Sequence, residues 1–171
     1  MEVLSAVAYG KVATASAATD LGDFMSERKP AARRKDYHVF RAIPTRWMDN
    51  DVYGHVNNVV HYSLFDTAVN GWLMEAGLLD YRSHPEIGLV VETGCRYHAV
   101  IAFPDIVHAG IRVTRLGTSS VRYEVGLFRN DEDAASAEGF FIHVYVDRAT
   151  RRPVPIPPDA RSAMRAIMVE G

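Results

Sequence analysis

Residues 49–58 read Asp49-Asn50-Asp51-Val52-Tyr53-Gly54-His55-Val56-Asn57-Asn58 and lead directly into the most periodic segment of the chain. The stretch holds two carboxylates, an imidazole, a glycine and several side-chain amides. Backbone N–H groups in the first turn of a helix have no partner inside the helix, and the helix dipole favours an anion there. A polar loop just before a helix is therefore suited to chemistry in which negative charge develops.

Apolar residues recur with helical spacing after this loop. The positions are Val60, Leu64, Phe65, Ala68, Val69, Trp72, Leu73 and Ala76. They predict a long helix with a wide apolar face. Asn57 or Asn58 is suited to the N-cap, and Gly77 to the position just past the C-terminus. The width of the apolar face indicates that other structure surrounds this helix.

The hydrophobic period changes from helical to strand-like after Tyr81. Strands are predicted over residues 37–47, 88–100, 105–116, 119–129 and 138–146. Short separators rich in turn residues favour an antiparallel meander, and Pro44 favours an edge or a bulge for the first strand. Asp159 is expected to cap a terminal helix over residues 160–168. The fold class is therefore α+β, with helix and sheet segregated.

Composition excludes several classes of function. The chain has 171 residues and a net charge of −2, so no global field favours nucleic acid or an anionic membrane. No apolar run approaches the roughly 20 residues that span a bilayer. The single cysteine, Cys95, fits a reducing compartment and is interpreted as a small apolar strand residue rather than a nucleophile. Residues 1–19 lack the basic region of a secretory signal, so a cytoplasmic location is expected.

Residues 1–35 differ in composition from the rest of the chain and are predicted to be an N-terminal extension. They change from Ala-rich to a basic run over residues 28–35, and a helix within residues 14–28 is left open. The basic run is interpreted mainly as a solvated linker, with an electrostatic contact to an anionic partner as the alternative. Residues 36–171 form the predicted domain.

Residues 46–58 resemble the Asp-x-Asp-x-x-Gly-His-Val-Asn-Asn signature of hotdog-fold thioesterases, in the 4-hydroxybenzoyl-CoA thioesterase-like group. The resemblance continues through residues 116–124 and 137–157 and covers about residues 38–168. It implies a hotdog fold, in which a curved antiparallel sheet wraps around a long central helix. It also implies hydrolysis of an acyl-CoA thioester, with no cofactor apart from the CoA of the substrate. The expected assembly is a homodimer or a dimer-of-dimers homotetramer, with active sites at the dimer interface.

The same resemblance assigns roles to individual residues. Asp51 would act as nucleophile or as general base, and these alternatives stay open. The backbone N–H near Asn58 would stabilise the oxyanion, and His55 would orient the loop or the thioester. Gly54 would let the substrate approach the backbone closely. Substrate-binding positions are expected at Gly54, Tyr53, His61, Tyr62, Arg115, Thr118, Ser119 and Ser120, the last four near the CoA nucleotide.

Several alternatives accompany these assignments. Asp49 is interpreted as structural, and no metal site is expected because the zinc-hydrolase spacing of histidines is missing. His61 stands where the family often has tyrosine, which puts that acyl-pocket contact in doubt. The acyl pocket is expected near Val60, Leu64 and Phe65. The competing functions are an acyl-carrier-protein thioesterase and a non-catalytic acyl-thioester binder that uses the same cavity.

Overall fold

The computed structural model describes residues 29–169, and within them five strands form one antiparallel sheet. The strands are β1 Val39–Pro44, β2 Glu86–Tyr97, β3 Ile106–Leu116, β4 Ser120–Arg129 and β5 Ala137–Asp147. Their spatial order is β1-β3-β4-β5-β2. Two helices accompany the sheet, α1 Asn58–Glu75 and α2 Pro158–Ala166. The predicted α+β class is confirmed.

Helix α1 begins and ends where the sequence predicts. The Asn57 side-chain oxygen accepts a hydrogen bond of 3.1 Å from the Val59 N–H, which makes Asn57 the N-cap. The helix ends at Glu75, and Gly77 follows with a φ of +71°. Glycine is favoured just past a helix C-terminus because it adopts this left-handed conformation without steric cost.

One face of α1 packs on the sheet, in contact with β1, β3, β4 and β5. Phe65, Ala68 and Val69 are fully buried in this interface. The Phe65 ring lies directly on the backbone of β5, where a methyl group in place of the Gly139 hydrogen would overlap the ring. Glycine at this position therefore lets the helix approach the sheet closely.

The predicted meander is correct for β3, β4 and β5 but wrong for β2. Strand β2 pairs with β5 at one edge, and β3 pairs with β1 at the other side of the sheet. The link between β2 and β3 therefore crosses the sheet instead of making a hairpin. Ile101, in this link, is 1% exposed, and its carbonyl accepts a 2.7 Å bond from the Val56 N–H. This contact between Ile101 and Val56 takes the place of the hairpin pairing that the apolar residues before Phe103 predict between β2 and β3.

The first of the predicted strands is confirmed as an edge strand, with Pro44 as its last residue. The predicted start of the terminal helix needs a correction. Helix α2 has Pro157 as N-cap and Pro158 as its first residue, and Asp159 lies inside the first turn. Proline suits the first helical position because the missing N–H has no partner there in any case.

The chain divides between Pro30 and Ala31 into two units, Met1–Pro30 and Ala31–Gly171. Of the first unit the structure describes residues 29–30 alone. The helix considered within residues 14–28 therefore lies outside the described residues. The segment of residues 1–19, considered above for a secretory signal, lies outside them as well. Across residues 29–169, no helix combines the length and the apolar character that crossing a bilayer requires.

His143, on β5, is a buried polar residue in the core between α1 and the sheet. Its side chain is 3% exposed, and neither ring nitrogen has a hydrogen-bond partner among residues 29–169. Burial disfavours the charged imidazolium and lowers the pKa of His143 to about 4. The ring is therefore neutral in the folded protein at neutral pH.

This burial makes folding stability depend on pH. His143 has its usual pKa of 6.5 in the unfolded chain and a pKa of about 4 in the folded chain. Between these two pH values the unfolded chain binds a proton that the folded chain does not, so stability falls as the pH falls. We expect His143→Leu to gain about 2 kcal/mol relative to the native protein between pH 7 and pH 5. Urea unfolding at both pH values measures this difference. An exposed control, His38→Leu, should follow the native protein, and equal pH slopes for both variants would contradict the prediction.

Candidate active site

A cavity of about 480 Å³ opens beside the loop that precedes α1. Three segments of the chain surround it: the loop, the first turn of α1 and the link that follows β2. We call residues 97–101, which are the last residue of β2 and the first four residues of this link, the cavity wall. The lining residues are Asp51, Tyr53, His55, Val56, Asn58, His61, Tyr97, His98, Ala99, Val100 and Ile101.

The loop is a tight turn closed by its own backbone. The Asp51 N–H donates to the His55 carbonyl at 2.9 Å, and the Gly54 N–H donates to the Asp51 carbonyl at 3.1 Å. Gly54 has a φ of +83°, a backbone conformation that residues other than glycine rarely adopt. Gly54 is exposed and is not among the residues that line the cavity. It sets the shape of the turn, and the expected close approach of substrate to its backbone stays a prediction.

The Asp51 carboxylate lines the cavity with one oxygen hydrogen-bonded, and the other has no hydrogen-bond donor among residues 29–169. Oδ1 accepts a 2.8 Å hydrogen bond from the N–H of Tyr53, two residues later in the turn, and this bond fixes the Asp51 side chain. Oδ2 lies 3.8 Å from His55 Nδ1, too far for a hydrogen bond. The Asp51 side chain is 18% exposed. A half-buried carboxylate with a free oxygen is equipped to take a proton or to attack an electrophile.

The start of α1 supplies a hydrogen-bond donor to the same cavity. The Asn57 side chain caps the Val59 N–H, and the Asn57 N–H donates to the Asp49 carbonyl at 2.9 Å. Across residues 29–169, no acceptor lies within hydrogen-bonding range of the Asn58 N–H. This free N–H at the positive end of the helix dipole is suited to bind a negatively charged oxygen.

His61 and Tyr97 form the floor of the cavity as an aromatic pair. Their rings meet edge to face with centroids 5.0 Å apart. His61 Nδ1 lies 3.1 Å from the Asn57 carbonyl, which can accept but not donate, so Nδ1 carries the hydrogen. Burial lowers the pKa of His61; nearby His55 lowers it further, and the bond to Asn57 partly opposes the change. Burial raises the pKa of Tyr97. Both rings are therefore uncharged near neutral pH.

Asp49 is buried beneath the loop instead of in the cavity. Its carboxylate accepts a 2.7 Å bond from the Arg46 N–H, and the Arg46 guanidinium binds it at 2.9 Å. The side chain is 3% exposed. These contacts occupy both oxygens and fix the chain where it enters the loop.

The predicted nucleotide-binding group lies far from this cavity in a single chain. Strand β3 begins near the cavity and ends at Leu116, about 30 Å along the strand. Arg115, Thr118, Ser119 and Ser120 lie at this far end. The Thr118 carbonyl accepts bonds from Arg161 and from the Ile156 N–H, which tie the turn to the C-terminal segment.

The helix residues expected in the acyl pocket also lie elsewhere. Leu64 and Phe65 are buried against the sheet, and Val60 packs on the same core. The Tyr62 ring meets the edge of Phe65 at a centroid distance of 6.0 Å and does not line the cavity, whereas its neighbour His61 does. The apolar face of α1 therefore packs into the core of the fold rather than lining the cavity.

The cavity wall is the part of the site that the sequence analysis missed. The sequence predicts a strand over residues 88–100, but β2 ends at Tyr97. The N–H groups of His98 and Ala99 both donate to the Ser136 carbonyl, at 2.8 and 2.9 Å, which turns the chain out of the ladder. The polar aromatic pair Tyr97-His98 at the predicted strand end was the available signal.

No group of three His, Cys, Asp or Glu side chains suited to a metal ion occurs within residues 29–169. Cys95, on β2, is half-buried, and burial raises the pKa of its thiol, which opposes a nucleophilic role.

Residues 45–164 match the thioesterase-like superfamily. The chain belongs to this superfamily. No curated protein matches the chain. The match spans the loop, α1, strands β2 to β5 and most of α2, so it includes all three segments of the cavity. The predicted relationship to thioesterases is confirmed, and thioester hydrolysis is the chemistry that membership supports.

Solved structures agree with this assignment. The PA5185 protein from Pseudomonas aeruginosa strain PAO1 is 50% identical with a TM-score of 0.79, over 81% of this chain and 97% of that one. A thioesterase from Thermus thermophilus, complexed with coenzyme A and Zn, is 29% identical with a TM-score of 0.64, over 78% and 96%. The gentisyl-coenzyme A thioesterase BH1999 is 22% identical with a TM-score of 0.65, over 74% and 99%, and shows the fold alone. The hotdog fold is thereby confirmed for this thioesterase-like protein.

Gly54 and Gly77 form a matched pair for testing the loop. Both have positive φ, and a methyl group at either would meet no atom within 4 Å. We expect Gly54→Ala and Gly77→Ala each to cost about 1 kcal/mol of stability through backbone strain. We further expect Gly54→Ala alone to lower thioester hydrolysis, because it alone distorts the turn around Asp51. Thermal unfolding and thiol release measure the two effects, and equal activity of both variants would count against the loop as the site.

Proposed function

We propose that this protein is an acyl-CoA thioesterase in which Asp51 activates the attack and the Asn58 N–H binds the oxyanion. The observation that carries the proposal is that Asp51 and Asn58 line one cavity, with one Asp51 oxygen and the Asn58 N–H lacking a hydrogen-bond partner in the described part of the chain. Hydrolysis of a thioester needs these two groups on either side of the carbonyl carbon. Membership of the thioesterase-like superfamily supports the same chemistry.

In the general-base route, Asp51 Oδ2 takes a proton from a water molecule whose oxygen bonds to the thioester carbonyl carbon. The carbonyl oxygen becomes negative and is stabilised by the Asn58 N–H and the dipole of α1. Collapse of this intermediate breaks the carbon–sulfur bond. The thiolate leaves and takes up a proton, so the products are a free acid and CoA.

In the nucleophilic route, the Asp51 oxygen itself bonds to the carbonyl carbon and expels the CoA thiolate. The resulting mixed anhydride is then hydrolysed by water, which restores the carboxylate. Rapid quenching followed by mass spectrometry of the Asp51 peptide distinguishes the routes. An acyl adduct on this peptide supports the nucleophile, and its absence during turnover supports the general base.

His55, His61 and Tyr53 are proposed to position the acyl-thioester. His55 lies within 3.8 Å of Asp51 and stacks on the Tyr53 ring at a centroid distance of 6.2 Å. His61 and Tyr97 are uncharged and close the cavity floor, which suits an acyl group better than a charged one. Binding of coenzyme A by the relative from Thermus thermophilus supports CoA as the thiol.

The carboxylate of Asp51 is the most direct target for a test. We expect Asp51→Asn to lower kcat of acyl-CoA hydrolysis roughly 10²–10⁴-fold, since the amide neither accepts a proton nor attacks. Release of free thiol from short, long, branched and aromatic acyl-CoAs measures the rate. Asp131→Asn, at an exposed position on the β4–β5 turn, is the control and should keep the native rate. Undiminished turnover of Asp51→Asn with circular dichroism unchanged would exclude the assigned role.

We also propose a homodimer formed by pairing of two β2 strands. Strand β2 is an edge strand with three consecutive exposed apolar residues, Leu89, Val90 and Val91. An exposed apolar edge with unpaired backbone groups favours addition of another strand. A two-fold axis through β2 would make this contact self-complementary. In such a dimer, Arg115 and the Thr118–Ser120 turn of one protomer would bind the CoA that occupies the cavity of the other. This nucleotide-binding role stays a prediction.

A cytoplasmic location also stays a prediction.

The edge of β2 is tested by a charge at its most exposed apolar position. Val91 is 60% exposed, and we expect Val91→Lys to shift the protein from a dimer, or a multiple of it, to the 19.0 kDa mass of one chain. Size-exclusion chromatography with light scattering measures the mass. Met74→Lys, which places the same charge on the exposed side of α1, should leave the assembly intact. A native protein that is already monomeric would rule out the pairing.

A further inference from the structure

The cavity wall is connected to a segment near the beginning of the described chain. We call residues 31–37 the strap. The strap runs along the β4–β5 turn: the Ala135 N–H donates to the Ala32 carbonyl at 2.9 Å, and the Arg34 N–H donates to the Asp133 carbonyl at 3.0 Å. Arg33 adds an ion pair of 2.7 Å to the Asp133 carboxylate.

Side chains of the strap also pack on the face of the sheet opposite α1. Tyr37 is 6% exposed, and its ring meets the edge of Phe128 at a centroid distance of 5.5 Å. The Arg34 guanidinium lies 5.2 Å from the centroid of the same Phe128 ring and donates to the Glu132 carbonyl at 2.8 Å. Arg33 and Arg34 of the basic run therefore bind the domain itself, which gives these two side chains a role other than contact with an anionic partner.

The carboxylate of Glu138 joins the strap to the cavity wall. Its Oε2 atom accepts a 2.7 Å hydrogen bond from His98 Nε2 and a 3.3 Å bond from the Ala32 N–H. The side chains of His98 and Glu138 are 14% and 13% exposed, so little water competes for these bonds. Hydrogen bonds to a charged, partly buried carboxylate are stronger than those between neutral groups.

The wall is fixed from its other side by the active-site loop. The Val56 N–H donates to the Ile101 carbonyl at 2.7 Å, and the Phe103 N–H donates to the Asn50 side chain at 3.0 Å. Residues 97–101 are thus held between Glu138 and the loop. The wall backbone keeps further bonds, from the His98 and Ala99 N–H groups to the Ser136 carbonyl and from the Arg129 guanidinium to the Val100 carbonyl at 3.2 Å. Loss of the Glu138 bonds therefore releases the His98 side chain and the strap contact, while the turn around Asp51, closed by its own backbone bonds, is retained.

We propose that Glu138 is a positioning residue for the candidate active site: acting through His98, its carboxylate holds the cavity wall in place and couples it to the strap. This inference rests on the proposed function, because it assigns the wall to substrate binding. The wall contacts the acyl-thioester equally in the ground state and in the transition state. Its displacement therefore raises KM and leaves kcat nearly unchanged.

The test compares Glu138→Gln with Asp147→Asn, the same carboxylate-to-amide change at the far end of β5. We expect Glu138→Gln to raise KM roughly fivefold to tenfold with kcat within about twofold of native, and Asp147→Asn to change neither. Ala32→Pro removes the N–H that donates to Glu138 and should raise KM in the same direction. Ala31→Pro is its control, because across residues 29–169 the Ala31 N–H makes no hydrogen bond.

A double-mutant cycle with His98→Gln separates positioning from general destabilisation. If Glu138 acts through His98, the KM effects of Glu138→Gln and His98→Gln are not additive in the double variant. Additive effects, or a native KM in Glu138→Gln, would overturn the proposal.

A readout that does not need activity keeps this inference distinct from the proposed function. Backbone amide shifts of residues 97–101, recorded by ¹H–¹⁵N NMR, should move in Glu138→Gln and stay in place in Asp147→Asn. A native protein that hydrolyses no thioester while these shifts move would refute the function and keep the coupling. Unchanged shifts in the wall would refute the coupling whatever the activity.

Discussion

The position of α1 depends on the contact between the Phe65 ring and the backbone of β5. Gly139 has no side chain to hold the helix away, so the ring is fully buried and the helix lies close to the sheet. Removing such a ring from a core costs about 3–5 kcal/mol, comparable to a large part of the stability of a small domain. The same contact determines where the first turn of α1 lies, and with it the donor end of the helix.

The candidate site follows from that placement. The loop before α1 closes on itself through backbone bonds, and Gly54 supplies the left-handed residue that the closure requires. One Asp51 oxygen accepts a bond from the Tyr53 N–H. Asn57 caps the Val59 N–H instead of the Asn58 N–H, which has no acceptor within residues 29–169. Within the described residues, these bonds leave one acceptor and one donor uncommitted in the same cavity, and the His61–Tyr97 pair that lines it is uncharged.

Local patterns were sufficient to predict the parts of the structure that depend on local interactions. Helical spacing located α1 to within a residue, and the Asp51 loop was visible in the sequence because cap, glycine and carboxylate lie together in the chain. The crossover after β2 could not be predicted, since Ala99, Val100 and Ile101 are as apolar as a strand. What turns them into the cavity wall is a contact with Val56 and with the Ser136 carbonyl, both distant in sequence. The same applies to Glu138, whose partners His98 and Ala32 are 40 and 106 residues away.

The most direct measurement is a crystal structure of Asp51→Asn with an intact acyl-CoA bound. The account predicts that the thioester carbonyl oxygen lies within hydrogen-bonding distance of the Asn58 N–H, and that the carbonyl carbon lies against the side chain at position 51. An acyl-CoA bound elsewhere, or bound in this cavity with its carbonyl oxygen directed away from the start of α1, would contradict it.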